Sequence, residues 1–197
     1  MVITMSILNT YTAYHVTDSS NLKSIKESGF TWKHNEKHWL GGGAYFFIDP
    51  SLPEHWYRNL PLGYGGIKIP VYLKVTISVT PERLIDTRFL KDYNKVKKEF
   101  DAFWETIGQY LFGNKYYEIS TSGKDIKKDF LWRLRAAFFD WYKETNHIVC
   151  IIANFNERNK LSDYTGHGDI FLQFKIPYVE TQVCVSDSTI ITNIDTV

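Results

Sequence analysis

The chain has 197 residues, of which 44% are hydrophobic and 23% are charged, and its formal net charge is +1. A chain of this length can bury a substantial core, so we expect a single domain over residues 1–197. The near-zero net charge argues against a strongly basic nucleic-acid or membrane surface. No apolar run approaches the roughly 18 residues of a membrane span, and the N-terminus lacks a secretory signal pattern. We therefore expect a cytoplasmic protein without a membrane partner.

The first third of the chain alternates short strands and short helices. Residues 10–17 are predicted as a strand that enters the core. Asp18 begins a helix as its N-cap, and Gly29 ends that helix where a left-handed residue is favoured. Three consecutive glycines then precede a buried strand at 45–48, and a helix capped by Asp49-Pro50 reaches about residue 59. This order indicates mixed α and β structure.

The middle third contains the clearest strand and then only helices. Apolar residues alternate over 71–79, which is typical of a strand with one buried face. Apolar residues then recur at helical spacing over 88–111 and over 124–144, with a turn at Gly123. We treat residues 81–145 as a two-helix insert.

The last third returns to β structure, and its two cysteines lie in apolar runs. Strands are predicted at 147–155, 169–176 and 180–186. Strands at both ends with helices between them indicate an α+β domain in which the first and last strands can meet. Cys150 and Cys184 are predicted to be buried free thiols, although His147 makes Cys150 a weak candidate nucleophile.

Three separated segments carry side chains typical of nucleotide chemistry: Tyr14-His15-Val16-Thr17, Leu40 to Phe46, and Gln182 to Asp187. They resemble, in the same order, the His-Gly-Thr strand, the Gly-x-Gly-Ile-Tyr-Phe motif and the terminal catalytic strand of the ADP-ribosyltransferase superfamily, in the branch of diphtheria toxin and the poly-ADP-ribose polymerases. The resemblance covers 14–58 and 147–187 but not the helical insert. It implies split mixed β-sheets with an NAD cleft between them and the insert at its rim.

The resemblance also implies roles for individual residues. His15 would bond the adenosine-side ribose with support from Thr17, the backbone of Val16 would hold the nicotinamide amide, and Tyr45 would stack on the nicotinamide ring. Ring stacking of this kind contributes about 0.5–1.5 kcal/mol beyond area burial. The cofactor-binding residues implied in this way are His15, Val16, Thr17, Gly42, Gly43 and Tyr45.

Two positions depart from the family pattern. Val16 replaces the glycine that follows the histidine, and Gln182 stands where the polymerase-like enzymes have Glu. An amide can hold a ribose hydroxyl but cannot offset the positive charge that builds on the ribose. Glu180 lies two residues earlier, about 6.6 Å along the same strand face, and can act as a general base. The expected catalytic residues are therefore His15, Tyr45, Gln182 and Glu180.

The glycine run Gly41–Gly43 is also compatible with an ordinary turn or with a phosphate-binding loop. No Lys-Ser or Lys-Thr follows it, as the latter mechanism requires. Gly42 and Gly43 are expected to let the chain turn tightly before Tyr45 because they carry no Cβ. The histidines lack zinc-ligand spacing with Cys, Asp or Glu, so we predict no metal. Residues 166–169 are predicted to be a loop that can border the pocket.

The implied activity is transfer of ADP-ribose from NAD to a macromolecule, protein or nucleic acid, with release of nicotinamide. Small bacterial members of the family resemble toxins of toxin–antitoxin or phage-defence systems, which would imply an antitoxin or immunity partner. Loops 33–39 and 61–68 are the expected acceptor contacts. Two alternatives stay open: an NAD glycohydrolase with Glu180 as base, and an inactive relative that binds a nucleotide or partner.

Overall fold

The computed structural model describes residues 7–36, 38–58, 66–113, 128–155 and 179–197. Within these ranges the protein is α+β, with a mixed seven-stranded sheet and four helices. The strands are β1 Asn9–Asp18, β2 Ala44–Phe47, β3 Pro70–Val79, β4 Leu84–Asp86, β5 Cys150–Phe155, β6 Glu180–Val185 and β7 Ile191–Thr196. The helices are α1 Leu22–Ser28, α2 Leu52–Arg58, α3 Leu90–Phe103 and α4 Lys128–Asn146.

The elements predicted on described residues are confirmed, with small shifts at their ends. Asp18 accepts a hydrogen bond of 3.0 Å from the Ser20 N–H, and Gly29 ends α1 with a φ of 77°. The predicted helix at 88–111 is α3, which continues through a π-helical turn at Trp104–Gly108 to residue 113. The predicted strand at 169–176, the loop at 166–169 and the turn at Gly123 lie outside the described residues.

Two strands were not predicted, and both are short or polar. β4 lies inside the expected helical insert, so the helical part begins only after residue 86. Its three residues are too few for a periodic pattern. β7 is an edge strand in which only Ile191 and Ile194 are apolar, because its other side chains face solvent.

The strand order across the sheet is β4-β5-β6-β2-β1-β3-β7. β4 and β5 are parallel, and every other neighbouring pair is antiparallel. The expectation that the first and last strands meet is wrong, because β2 separates β1 from β6 and β7 pairs with β3. Periodicity predicts which segments are strands, whereas the neighbours of a strand are set by long-range packing.

The junction between β1 and β2 is narrow. Their single register pair is Tyr14 with Phe47, whereas ten pairs align β1 with β3 and four align β2 with β6. The predicted α+β class is confirmed, but one sheet with this narrow junction replaces the expected pair of split sheets. We call the junction between β1 and β2 the seam.

Each face of the sheet packs against its own core, because successive strand side chains point to opposite faces. Phe46 of β2 belongs to the first core, with Phe30 and Ile25, and Tyr45 packs against the second. The second core contains the inner side chains of α3 and α4, including Phe103 and Phe138. Within the described ranges, no helix has the length and apolarity needed to cross a membrane.

The two cysteines lie in different cores, Cys150 in the first and Cys184 in the second. Both are free and buried, as predicted. Burial raises the pKa of the Cys184 thiol to about 11, and burial also raises the pKa of the Cys150 thiol. Since the thiolate is the nucleophile, this environment disfavours the catalytic alternative for Cys150.

Candidate active site

The three motif segments, distant in the chain, lie on three neighbouring strands. His15 is on β1, Tyr45 is on β2, and Glu180 and Gln182 are on β6. Phe47 is the common neighbour, since its Cα faces Tyr14 across the seam and Gln182 on the other side. Strands are about 4.8 Å apart, so β1 and β6 lie about 10 Å apart here. The sheet thus brings the predicted catalytic segments onto neighbouring strands at the seam. Their side chains divide between its two faces: the imidazole of His15 contacts Phe30 and Phe46 of the first core, whereas Tyr45 and the β6 face of Gln182 and Cys184 belong to the second.

His15 crosses the seam with its side chain. Its Nδ1 is 2.8 Å from the backbone oxygen of Tyr45, and a carbonyl can only accept, so Nδ1 carries the hydrogen. Burial lowers the pKa of His15, partly opposed by this hydrogen bond, so the imidazole is neutral near pH 7 and Nε2 is an acceptor. The rings of Phe30 and Phe46 lie 5.3 and 5.6 Å from the imidazole and fix its orientation.

Val16 and Thr17 continue β1 beyond the seam. Both are buried, and their register partners, Tyr72 and Val71, lie on β3. The β1 residues beyond Tyr14 therefore have strand partners on one side only, which leaves a strand edge facing the seam. The Thr17 hydroxyl accepts a hydrogen bond of 3.2 Å from Asn21, so its partner is the loop before α1 instead of His15. The structure records no hydrogen bond between this hydroxyl and His15, so the expected support of His15 by Thr17 stays a prediction.

Tyr45 uses its hydroxyl to hold the preceding loop. The oxygen accepts a hydrogen bond of 2.7 Å from the Leu40 N–H and donates one of 2.8 Å to the Gly41 carbonyl. Burial raises the pKa of Tyr45, so the phenol stays protonated. The ring also packs edge-on against His38, with centroids 5.3 Å apart. Tyr45 is therefore a positioning residue for the loop, and only its ring is left for contact with a ligand.

The glycine run divides into two positions that require glycine and one that does not. Gly41 has a φ of 75°, and a Cβ there would lie 2.9 Å from Cγ of Asp140. A Cβ on Gly43 would lie 2.6 Å from Sγ of Cys184. At Gly42 the nearest atom would be 3.6 Å away, which is an ordinary contact. The expectation for Gly43 fits this geometry, but the tight turn requires glycine at Gly41 and not at Gly42.

Helix α4 clamps this loop through two side chains that sequence reasoning missed. The Gly42 N–H donates a hydrogen bond of 2.6 Å to Asp140, and the Lys143 ammonium donates to the Gly42 carbonyl. Lys143 is only 7% exposed and lies 3.1 Å from the Asp140 carboxylate. The amide of Gly42 is therefore already bonded and does not cradle a phosphate. Asp140 and Lys143 are three residues apart and share a face of α4, but this spacing alone does not indicate that the face meets the glycine run.

Glu180 and Gln182 form a bonded pair on one face of β6. Glu180 is 8% exposed, and the side-chain amide of Gln182 donates a hydrogen bond to its carboxylate. The expectation that both side chains share a face is confirmed. The pair combines the charge that an amide lacks with an amide oxygen that can accept a bond from a hydroxyl. Together they can stabilise developing positive charge and take up a proton.

A surface pocket of about 530 Å³ lies at the expected acceptor loop. It is lined by Lys33, His34, Asn35, Glu36 and His38. None of the four predicted catalytic side chains lines it. The second expected acceptor loop, 61–68, lies mostly outside the described residues. Within the part of the chain that the structure describes, no group of three His, Cys, Asp or Glu side chains could hold a metal ion.

Comparison of this chain with protein-family models, with curated proteins and with solved structures finds no match in any of the three.

Proposed function

We propose that the protein cleaves the bond between nicotinamide and ribose in NAD and transfers ADP-ribose to a macromolecular acceptor, protein or nucleic acid. The main support is the convergence of three distant segments on β1, β2 and β6 at the seam. These segments carry the residues on which the resemblance to ADP-ribosyltransferases rests. A ligand cleft between strands requires such a place, where backbone pairing stops.

The side chains at the seam suit the parts of NAD. Nε2 of the neutral His15 can accept a hydrogen bond from a ribose hydroxyl. The edge of β1 at Val16 offers backbone N–H and C=O groups, which complement a carboxamide. Tyr45 offers a ring face whose hydroxyl is fixed by the loop. The Glu180–Gln182 pair is suited to the nicotinamide-side ribose.

The proposed step breaks the C–N bond, and nicotinamide leaves with the bonding electrons, which neutralise its ring charge. The Glu180 carboxylate stabilises the positive charge left on the ribose, and Gln182 orients a ribose hydroxyl. A nucleophile of the acceptor then bonds to the anomeric carbon and passes its proton to Glu180. The step consumes no electron donor or metal.

The biological proposal rests on the resemblance to small bacterial toxins. We propose a cytoplasmic toxin or phage-defence effector that an antitoxin or immunity protein restrains. The pocket formed by 33–36 and His38 is the proposed acceptor contact, because it is open and the His38 carbonyl accepts a hydrogen bond of 3.3 Å from the Gly41 N–H of the glycine run. An NAD glycohydrolase is the second candidate, since the Glu180–Gln182 pair could equally activate water.

The test is incubation of the protein and a bacterial lysate with NAD labelled in its adenine moiety. Transfer predicts a labelled macromolecule, hydrolysis predicts free labelled ADP-ribose, and an inactive binder leaves NAD intact. His15→Ala and Tyr45→Ala should reduce either signal at least tenfold, whereas Lys23→Ala, at an exposed site on α1, should not. An unchanged signal in both His15→Ala and Tyr45→Ala would show that the site is wrong.

A second variant tests the third catalytic position. Gln182→Glu places a second carboxylate against that of Glu180, and one of two such neighbours holds a proton. We expect a changed rate or a shift toward hydrolysis of NAD. Gln182→Glu with unchanged products and rate would exclude Gln182 from the reaction.

A further inference from the structure

Arg135 of α4 is a partly buried cation beside the proposed site. Its guanidinium carbon lies 4.9 Å from the ring centroid of Trp39 and 5.9 Å from that of Phe155. Nε and Nη2 are buried and have no hydrogen-bond acceptor within the described part of the chain. Burial lowers the pKa of Arg135, although the group stays charged at any ordinary pH. A charged fork therefore lies over two aromatic rings that pack against each other, and no carboxylate of the described residues pairs with it.

Such an arrangement is costly in a folded protein. A buried donor without an acceptor costs about 1–3 kcal/mol, and charged groups cost more. Contacts of the guanidinium with aromatic faces stabilise it by about 0.5–2 kcal/mol, which offsets only part of this cost. Buried polar groups in native structures normally have partners, so an unpartnered guanidinium points to a partner that binds from outside.

The position of Arg135 relates it to the proposed site. Phe155, beneath the guanidinium, faces Glu180 across the β5–β6 pair, and directly opposed residues share a sheet face. The next pair on that face is Ala153 with Gln182. Trp39, the other ring beneath the guanidinium, directly precedes Leu40, whose N–H donates a hydrogen bond to the Tyr45 hydroxyl. Arg135 thus lies over the sheet face that carries the Glu180–Gln182 pair.

We propose that Arg135 binds a phosphate group, and that this phosphate belongs to the pyrophosphate of NAD. The second half of this proposal rests on the proposed function. The planar guanidinium of Arg can donate to two phosphate oxygens at once, whereas the ammonium of Lys acts as a point charge. The role is not carried over from the resemblance, because α4 belongs to the helical insert, which the family motifs do not cover. The insert would then complete the ligand site.

The experiment compares Arg135→Gln and Arg135→Lys with the control Arg133→Gln. Arg133 lies on the same helix, and its guanidinium is paired with Glu36 at 3.0 Å. Binding of NAD, inorganic pyrophosphate and nicotinamide is measured by isothermal titration calorimetry. We expect Arg135→Gln to weaken the binding of NAD and of pyrophosphate about 10- to 100-fold, as the loss of a charged hydrogen bond predicts. The binding of nicotinamide should not change. Arg135→Lys should lie between Arg135→Gln and wild type.

The outcomes separate this proposal from the proposed function. Pyrophosphate binding that depends on Arg135, in a protein that neither binds nor consumes NAD, would support the phosphate site and refute the NAD assignment. NAD turnover in Arg135→Gln that equals that of the wild type would refute the site and leave the function standing. An equal loss of nicotinamide binding would also refute it, because nicotinamide carries no phosphate. Thermal unfolding of each variant identifies loss of fold, and Arg135→Lys then serves as the test.

Discussion

The two edges of β2 are held in contrasting ways. On the β6 side, four register pairs align the strands, and the loop Leu40–Gly43 is fixed by Tyr45, Asp140 and Lys143. On the β1 side, one register pair and the hydrogen bond from His15 to the Tyr45 carbonyl span the seam. β2 is therefore firmly paired and fixed on its β6 side, and we call this side the wall. On its β1 side it is joined only at the seam.

This difference predicts that residues of the same sequence motifs have different roles, some in stability and others in ligand binding. The side chains that fix the loop Leu40–Gly43 hold the wall, so their replacement should mainly reduce stability. Few strand pairs depend on the side chains at the seam, so their replacement should mainly change ligand binding and its pH dependence. Measuring stability and binding for matched variants tests this division.

The largest loss of stability is expected for Gly41→Ala. The positive φ of 75° costs a residue with a Cβ about 1–2 kcal/mol, and crowding against Asp140 adds about 1–3 kcal/mol. The free energy of unfolding should therefore fall by about 2–5 kcal/mol, measured by urea denaturation. Gly42→Ala, one residue away, should be neutral or stabilise by up to about 1 kcal/mol. Similar losses at both positions would contradict the wall as described.

Lys143→Met should have the next largest effect. It removes a charged hydrogen bond to the Gly42 carbonyl and the partner of Asp140, which should cost about 1.5–3 kcal/mol. Lys23→Met is the control, because Lys23 is 84% exposed and 4.0 Å from Glu27, and its loss should cost less than about 0.5 kcal/mol. If both variants unfold at the same urea concentration, α4 does not clamp the loop.

Tyr45→Phe should cost less, since it keeps the ring and removes only the hydroxyl. The Leu40 N–H and the Gly41 carbonyl lose their partner, which should lower the free energy of unfolding by about 1–2 kcal/mol at this partly buried position. Tyr14→Phe, on the seam side, should change the free energy of unfolding by less than about 0.5 kcal/mol. If Tyr14→Phe lowers the free energy of unfolding more than Tyr45→Phe does, the proposed contrast between the seam and the wall is contradicted.

The sequence predicts the local part of this architecture and misses its long-range part. Alternation in 71–79 and helical spacing in 88–111 identify β3 and α3, and the cap at Asp18 places α1. These signals depend on neighbours within a few residues. The place of β2 between β1 and β6 depends on packing between distant segments, and no local pattern encodes it.

The candidate site divides in the same way. The pairing of Glu180 with Gln182 follows from strand spacing and could be predicted. Asp140, Lys143 and Arg135 could not, because they approach the site from a helix nearly 100 residues away from the glycine run. On α4 their charges lie among apolar residues, and only the folded helix reveals that they face Gly42 and Trp39.

The smallest effect on stability, and the most specific to the seam, is the pH dependence contributed by His15. Burial lowers its folded pKa below the ordinary value of 6.5, so below that pH the unfolded chain takes up a proton first. Its contribution to stability is full above that pH and falls as pH decreases, with a slope of at most about 1.4 kcal/mol per pH unit. Under the proposed function, NAD binding should fall in the same direction, because protonated Nε2 cannot accept a hydrogen bond. His15→Asn keeps a donor for the Tyr45 carbonyl without a titrating ring, so the difference between the two stability curves should narrow as pH falls. Curves that stay parallel from about pH 7 to about pH 5 would show that the imidazole is not held neutral across the seam.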